Sequence, residues 1–468
     1  MDIKFGTSGF RGIIGDNWTK ANIQKIGFAF KQMVRDANKN VGKISQVIVG
    51  YDNRFMGKHS ATWFCEAVAC DQIKVTVFNM PVPTPVIAYK TVTNFDYGIM
   101  FTASHNPYWY NGVKVFLKGG KDADDGFSGK LTKYLNVKPQ YSGHQIQYTD
   151  DVNDYIDKVA SLLDVEKIKK SNIKVLFNAM HGSGAEIVKS LFKRLNIKYD
   201  IMCGEADAYF GGLVPAPYEH NLKAQSKRVV KDKFSFGFAL DGDGDRVAFI
   251  DSNGEFYDCN KLLAVFYYYY VEYKKRNGGV AKNFLSSNLT AKLCKKYGQQ
   301  IYETRVGFKF LGPELEKTDA LLAGEGQGIA FKDMSLTKDG ILAGFLLVDV
   351  IVGLKKGIGK IVEEIIDLVH FPTCSMEYAY IYDQQARSAV EKKILSEGTE
   401  LKFDQTIERI ERHVDGVKIH FTGNYWCAAR MSGTEPVVRF YTEMANEKEA
   451  TAVIKRLEQI YDMRQRQS

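Results

Sequence analysis

The chain lacks the cysteine pairing that disulfide or zinc chemistry needs. Its seven cysteines, at 65, 70, 203, 259, 294, 374 and 427, are odd in number and form no Cys-x-x-Cys pair, and its eight histidines complete no zinc spacing. That argues against a disulfide framework and a metal knuckle, and for free buried thiols in a reducing compartment. Long apolar runs are missing too. The longest, 262–271 and 341–354, fall short of the ~20 residues a membrane-spanning helix needs, and Asp349 interrupts the second. The opening Met1-Asp-Ile-Lys-Phe5 has no signal-like apolar stretch, so a cytoplasmic protein with no membrane partner is expected. No block of Lys or Arg resembles a basic arm. Lys plus Arg number 63 against 55 Asp plus Glu, a formal net charge of +8 spread over 468 residues. Nucleic acid is therefore not indicated as a partner, and a site for anionic small molecules is as good a reading of the balance. Low-complexity tracts and short-period repeats are absent as well.

What is present is ordinary globular material, 45% hydrophobic and 25% charged. At one domain per ~150 residues the length suggests about three domains, with four allowed. Short apolar or β-branched runs alternate with helical patterns. Strands are expected at residues 46–50, 73–78, 97–101, 173–177, 236–240, 247–250 and 320–323, the run at 247–250 returning from the one before it. Helical spacing is expected at 60–70, 185–195, 262–275 and 291–297. Such alternation argues for mixed or parallel α/β layers. Polar stretches at 141–154 and 251–254 and the segment 371–373 are candidate boundaries. Beyond them, alternating runs at 377–381, 417–421 and 437–441 with a closing helix over 448–460 suggest a small α+β domain.

Five loops carry chemistry-bearing residues. Asp241-Gly-Asp-Gly-Asp-Arg246 follows an apolar strand. Carboxylates at i, i+2 and i+4 can point to one side of an extended segment, and the glycines let the backbone curl so that their oxygens converge on a hard divalent cation. A solvated acidic turn is the alternative. An EF-hand is disfavoured, because its Gly and Glu positions hold Arg246 and Ser252. Thr102-Ala-Ser-His-Asn-Pro107 places a hydroxyl where a strand leaves an α/β sheet, the usual place for ligands. Ser104 is there a candidate phosphoryl carrier or an ordinary turn serine, and Lys114 a cation, a proton carrier or a solvated lysine. Arg430-Met-Ser-Gly-Thr-Glu-Pro436 combines hydroxyls, a glycine and an arginine in a way that suits phosphate, with a plain hairpin turn as its alternative. Gly324-Glu-Gly-Gln-Gly328 suits close approach to sugar hydroxyls and is not a Walker loop, since no Gly-Lys-Ser/Thr follows. Phe5-Gly-Thr-Ser-Gly-Phe-Arg-Gly12 has an anion-binding look, and His181-Gly-Ser-Gly184 reads as tight helix–strand packing.

In this order, and together with Val49-Gly-Tyr-Asp-Asn-Arg54, Asn111-Gly112, Gly307-Phe-Lys309 and Lys338-Asp-Gly-Ile341, the motifs resemble the α-D-phosphohexomutase superfamily of phosphoglucomutases and phosphomannomutases over essentially the whole chain. The resemblance implies three related α/β domains and a smaller C-terminal α+β domain around a central active-site cleft. The expected divisions are 1–148 for phosphoserine, 149–254 for metal, 255–368 for sugar and 369–468 for phosphate. Ser104 would be the phosphorylated serine. Asp241, Asp243 and Asp245, with an oxygen on Ser104, would hold one Mg2+. Arg11 and Arg246 would flank the phosphate, Lys114 would handle the proton, and His105 would join this catalytic set. Lys309, Glu325 and Gln327 would face the sugar. Arg430, Ser432, Gly433, Thr434 and Arg439 would grip the phosphate that does not react.

The implied activity is an isomerase that interconverts hexose 1-phosphates and hexose 6-phosphates through a hexose 1,6-bisphosphate, which would also prime the enzyme as activator. The partners would be hexose phosphates, with a monomer or homodimer both open. The family's sugar loop usually reads Gly-Glu-x-Ser-Gly, and here Gln327 takes the Ser place. Ile329 stands where bisubstrate and amino-sugar branches carry His, and Phe308-Lys309 resembles the glucose branch. Phosphoglucomutase is therefore expected ahead of a glucosamine phosphate enzyme. Phosphomannomutase or dual specificity, and a sugar-phosphate-binding protein without turnover, are the alternatives. An aspartyl phosphatase fits poorly, since Asp245 stands where that chemistry expects Thr or Val.

Overall fold

The computed structural model describes all residues except 1–2, 7–8, 40, 383–386, 433–436 and 464–468. They fall into two compact units, Met1–Phe284 with Gln299–Ile361, and Leu285–Gly298 with Val362–Ser468. The first unit contains three mixed sheets with helices, and the second a fully antiparallel sheet, which makes the four-domain α/β architecture.

The first sheet has eight strands. The β-branched run Ser45–Tyr51 lies at its centre, parallel to Ile73–Phe78 on one side and to Tyr97–Phe101 on the other. Tyr110–Leu117 then returns antiparallel to Tyr97–Phe101, and Gly9–Ile13 pairs antiparallel with it. Helices Lys20–Asn38 and Gly57–Val68 cover one face through Ile23, Ile26, Phe30, Phe64 and Val68. Thr19 caps the first of them by accepting from the Asn22 amide. The two helices approach closely at Gly27, where a Cβ would sit 2.8 Å from that of Ala67.

The second sheet runs Lys198–Met202, Lys174–Asn178, Phe236–Leu240, Val247–Asp251, Phe256–Tyr257. The third runs Ile301–Thr304, Val280–Asn283, Leu322–Glu325, Gly328–Phe331. One device recurs in all three. A buried strand ends, a chemistry-bearing loop follows, and the chain returns as an antiparallel neighbour. The pairs are Tyr97–Phe101 with Tyr110–Leu117, Phe236–Leu240 with Val247–Asp251, and Leu322–Glu325 with Gly328–Phe331.

Several elements differ from the sequence reading. The third-sheet strand begins at Leu322 rather than at 320, because Leu322 pairs with Val280, the first residue of the neighbouring strand Val280–Asn283. The helix expected over 262–275 begins at Cys259, where the Asp258 carboxylate accepts from the Asn260 and Lys261 amides. It widens into a π turn over Tyr269–Tyr273. The polar stretch at 251–254 is a hairpin turn, with the Gly254 amide donating to Asp251, so the second sheet extends to Tyr257. Within 141–154, Gln147–Thr149 adds a parallel edge strand to the first sheet.

The apolar run at 341–354 is the core helix Gly340–Leu354. Its Asp349 is satisfied by the Tyr269 hydroxyl at 2.9 Å, the Asp164 amide at 3.1 Å and the Lys274 ammonium at 3.0 Å. Among the described residues no helix is long and apolar enough to cross a membrane. Of the seven cysteines, five are buried and Cys203 and Cys374 are half-buried. In the second unit, strands Cys374–Ile381, Val437–Met444, Tyr425–Met431, Gly416–Phe421 and Ile407–His413 lie in that order. Helix Glu447–Tyr461 packs on them through Ala450, Val453, Ile454 and Leu457.

Candidate active site

Ser104 leaves the strand Tyr97–Phe101 in the left-handed region, at φ 52, and is 2% exposed. Its hydroxyl donates to Asp241 Oδ2 at 2.7 Å. Asp241, Asp243 and Asp245 are all buried, and an oxygen from each lies within 4.8 Å of the others. Gly244, at φ 72, supplies the backbone turn that folds them together. The Arg246 amide donates to Asp241 Oδ1 at 3.0 Å. Lys114, directly opposite Met100 in the sheet and buried, donates to Asp243 Oδ2 and Asp245 Oδ2 at 2.6 Å each.

The electrostatics follow from dry carboxylates crowded together. Burial, with Asp243 and Asp245 close by, raises the Asp241 carboxyl well above its ordinary range. Burial also works against the Asp243 anion, but the Lys114 ammonium and hydrogen bonds from Lys114 and Thr84 outweigh it and hold that carboxyl low. Desolvation works against the Lys114 cation, and the three aspartates more than reverse it, so its proton is held tighter than usual. The Oδ1 atoms of Asp243 and Asp245 are buried and accept no hydrogen bond from the described residues. Two orphaned anionic oxygens beside a third carboxylate and a hydroxyl make an all-oxygen donor set of the kind a hard divalent cation takes.

The remaining first-unit residues lie around this centre to different degrees. Arg11 hydrogen-bonds the Asn106 side chain and has its pKa pushed down to about 10 by burial and by Arg246; it stays charged at neutral pH. His105 is half-buried beside Ser104. Arg246 donates through Nη1 to Gln327 Oε1, which ties the acid loop to the Gly324–Gly328 loop. Glu325 accepts from Asn283 at 3.2 Å. Lys309, expected at the sugar, makes its ion pair with Asp125 at 2.6 Å.

Sequence reasoning missed three residues here. Thr84 donates its hydroxyl to Asp243 Oδ2. The Lys338 ammonium stands 3.6 Å from Asp245. Arg54 binds the backbone of the Ser104 loop. Thr84 opens the helix Thr84–Thr93 behind Pro83, a place with no sequence signal for chemistry. Lys338 and Arg54 lie in quoted motifs, and their charge was the available clue.

In the second unit, Arg430 and Arg439 face each other across adjacent antiparallel strands. Like charges at directly opposed positions repel. Each finds a carboxylate, Arg430 with Asp415 at 2.5 Å and Arg439 with Glu377 at 2.8 Å. Ser432, half-buried, follows the strand end, and its amide donates to Val437. Gly433 and Thr434 lie outside the described residues.

Four family models match the chain in order. Phosphoglucomutase/phosphomannomutase alpha/beta/alpha domains I, II and III match residues 2–141, 153–254 and 258–369, and the C-terminal domain matches 387–460. A phosphoglucomutase/phosphomannomutase of Thermococcus kodakarensis is 30% identical over 461 residues, 95% of each chain. A phosphoglucosamine mutase of Methanocaldococcus jannaschii is 29% identical, over 97% of this chain and 96% of its own. Among solved structures, a putative phosphomannomutase from Thermus thermophilus superimposes with a TM-score of 0.85 at 23% identity, covering 99% of both chains.

Proposed function

Since the chain belongs to the phosphoglucomutase/phosphomannomutase family, and is thereby a phosphohexomutase, an isomerase that moves a phosphoryl group, we propose that it interconverts hexose 1-phosphate and hexose 6-phosphate through a phosphorylated Ser104, with glucose phosphates as its main substrates. The observation that supports this best is the Ser104 hydroxyl, hydrogen-bonded to Asp241 within an acid loop that Lys114 bridges.

In this reading the Ser104 Oγ–P bond breaks as the phosphoryl group passes to the free hydroxyl of the bound hexose phosphate. Lys114, as the neutral amine, takes the proton of that hydroxyl and returns it to the Ser104 Oγ released by the break. The resulting hexose 1,6-bisphosphate turns end for end and returns its other phosphoryl group to Ser104, and the same bisphosphate primes unphosphorylated protein. Such transfer needs in-line placement and neutralised oxygens more than covalent help. Asp241, Asp243 and Asp245 would hold Mg2+, which supplies charge neutralisation for the phosphoryl oxygens. Arg11 and Arg246 stand beside the acid loop as cations for the same phosphate. Asp243 and Asp245 tighten the hold of Lys114 on its proton. Neutralising those carboxylates loosens it, and an acid–base group needs that freedom. Glu325 offers a carboxylate to sugar hydroxyls, with Lys309 on the neighbouring helix. Arg430, Ser432, Gly433, Thr434 and Arg439 would bind the phosphate that stays.

Ile329 and the Phe308-Lys309 pair support glucose phosphates. The phosphoglucosamine mutases among the relatives favour glucosamine phosphate as the second reading, with mannose phosphates a third. The test is turnover of purified protein with Mg2+ on glucose, mannose, glucosamine and ribose 1-phosphates, each primed with a trace of hexose bisphosphate. Fastest isomerisation of glucose 1-phosphate is expected, with Ser104→Ala inactive yet folded. A different fastest sugar refutes the substrate assignment. No turnover from protein carrying phosphate on Ser104 refutes the mutase.

A further inference from the structure

Arg54 ends the motif Val49-Gly-Tyr-Asp-Asn-Arg54, to which the reaction above gives no part. It is 3% exposed, so no substrate reaches it. Its whole fork is spent on one loop. Nη2 donates to the carbonyls of Ser104 at 2.6 Å and Asn106 at 2.5 Å, and Nη1 to those of Pro107 at 2.8 Å and Tyr110 at 3.1 Å. Asp52 fixes the fork from behind. Its Oδ1 accepts the Arg54 amide at 3.0 Å, and its Oδ2 lies 3.3 Å from Arg54 Nε. The Phe210 ring covers the guanidinium, 4.9 Å from ring centre to Cζ. Thr102 closes the circuit by donating to Asp52 Oδ2 at 2.6 Å and accepting the Ser104 amide at 2.8 Å.

These bonds meet at a residue whose conformation needs support. Ser104 is a non-glycine residue at φ 52, a region that persists only where the surroundings over-determine it. Within residues 102–110 the backbone supplies two turn bonds of its own, Asn106 to Ala103 and Tyr110 to Pro107. The Ser104 carbonyl is bound by Arg54 and its amide by Thr102, so both peptide groups flanking its Cα are fixed and Oγ is aimed at Asp241. Only a planar guanidinium with several fixed donors spans four carbonyls at once; a lysine ammonium offers three donors from one point.

We propose that Arg54 is a positioning residue for phosphoryl transfer, holding Ser104 in its left-handed conformation so that Oγ meets the acid loop in line. This rests on Ser104 being the phosphoryl carrier. Displacing a reacting group by about 1 Å can cost roughly 100-fold in rate. That cost falls on kcat, because Arg54 touches no part of the substrate.

The test compares full-length wild type, Arg54→Lys and Thr102→Val by thermal melting, amide hydrogen exchange and steady-state kinetics with the best sugar of the panel. For Arg54→Lys, exchange at residues 103–110 should rise at least about tenfold while the rest of the first sheet stays protected. Its kcat should fall about 10- to 100-fold, with KM within about twofold. Thr102→Val keeps Arg54 and should show the same pattern more weakly, and it decides the matter if Arg54→Lys does not fold. Unchanged exchange in this loop overturns the proposal, as does a kcat within twofold of wild type or exchange rising across the whole sheet. A wild type inactive on every sugar refutes the mutase reading instead, and the exchange measurement still decides whether Arg54 holds the loop.

Discussion

Replacing Lys114 with methionine should destabilise the metal-free protein and at the same time make its stability more responsive to Mg2+. The side chain is almost fully buried, with its ammonium 2.6 Å from both Asp243 and Asp245. Methionine keeps most of the volume and removes the charge, leaving two buried carboxylates without their internal cation. Breaking a buried pair by removing one partner costs about 3–5 kcal/mol. For a cooperative unit of several hundred residues, unfolding entropy of about 2.1 cal/mol/K per residue turns that into a Tm lower by about 4–7 °C. The assay is calorimetric melting in EDTA and across a MgCl2 titration. In EDTA the variant should melt about 4–7 °C below wild type. A cation saturating the site at 100 times its Kd adds about 2.7 kcal/mol. The increment should be larger in Lys114→Met than in wild type, because the site has lost a competing positive charge. Turnover should fall by about 100-fold or more even at saturating Mg2+, the usual worth of a positioned acid–base group. A variant that melts within 1 °C of wild type in EDTA would refute the idea that Lys114 neutralises the acid loop.

Three further outcomes are expected. Asp243→Asn should raise the Mg2+ concentration needed for half-maximal activity by at least about tenfold, since one anionic ligand is lost; an unaltered metal response removes Asp243 from the ligand set. In Gln327→Ser the shorter side chain no longer reaches Arg246, so kcat/KM should drop roughly tenfold for every sugar alike, and a loss confined to one sugar means instead that Gln327 reads a hydroxyl. Asp339 caps helix Gly340–Leu354, and burial raises its pKa to about 6. A carboxyl raised on folding stabilises fully below its unfolded value and loses that contribution as pH rises to about 6. Wild type should therefore lose up to about 3 kcal/mol from this group between about pH 4 and 6, whereas Asp339→Asn keeps a cap acceptor without the titration. Equal urea-midpoint slopes in the two proteins would show that Asp339 does not titrate in this range.

The legible parts of this molecule are those where local chemistry decides the outcome. Val47, Ile48 and Val49 mark a central strand because β-branched side chains suit a surface packed on both faces. Asp241-Gly-Asp-Gly-Asp245 announces converging oxygens because few other arrangements tolerate three adjacent carboxylates. The sequence also placed a returning strand at 247–250, and the structure repeats that device in each of the first three sheets. What stayed hidden depends on partners far away in the chain. Thr84 meets Asp243 across 159 residues, and Lys114 meets Asp245 across 131. Arg54 closes a motif whose sequence gives it no role, and its partner is the loop 50 residues on, whose Ser104 carbonyl accepts from it. Lys309 reads as a sugar ligand, and the structure gives it Asp125, 184 positions away in the chain.

The charge inventory of the site explains why these parts belong together. Asp241, Asp243 and Asp245 face Lys114, Arg11, Arg246 and Lys338, so three carboxyls meet four cationic side chains, while Asp52 and Arg54 compensate one another. A phosphoserine brings about −1.5 to −2 and a divalent cation brings +2. Loaded together they leave the balance nearly unchanged; loaded singly, either shifts it by close to two charges in a buried place, which is costly. Phosphorylation of Ser104 and cation binding should therefore favour one another, and by linkage to the same degree. Lys114→Met and Asp243→Asn shift the balance by one unit in opposite directions. The first makes the site more negative and strengthens the pull on a cation; the second makes it more positive and weakens that pull. That opposition of sign arises from the charge balance itself, and a loop whose aspartates served only to shape a turn would not produce it.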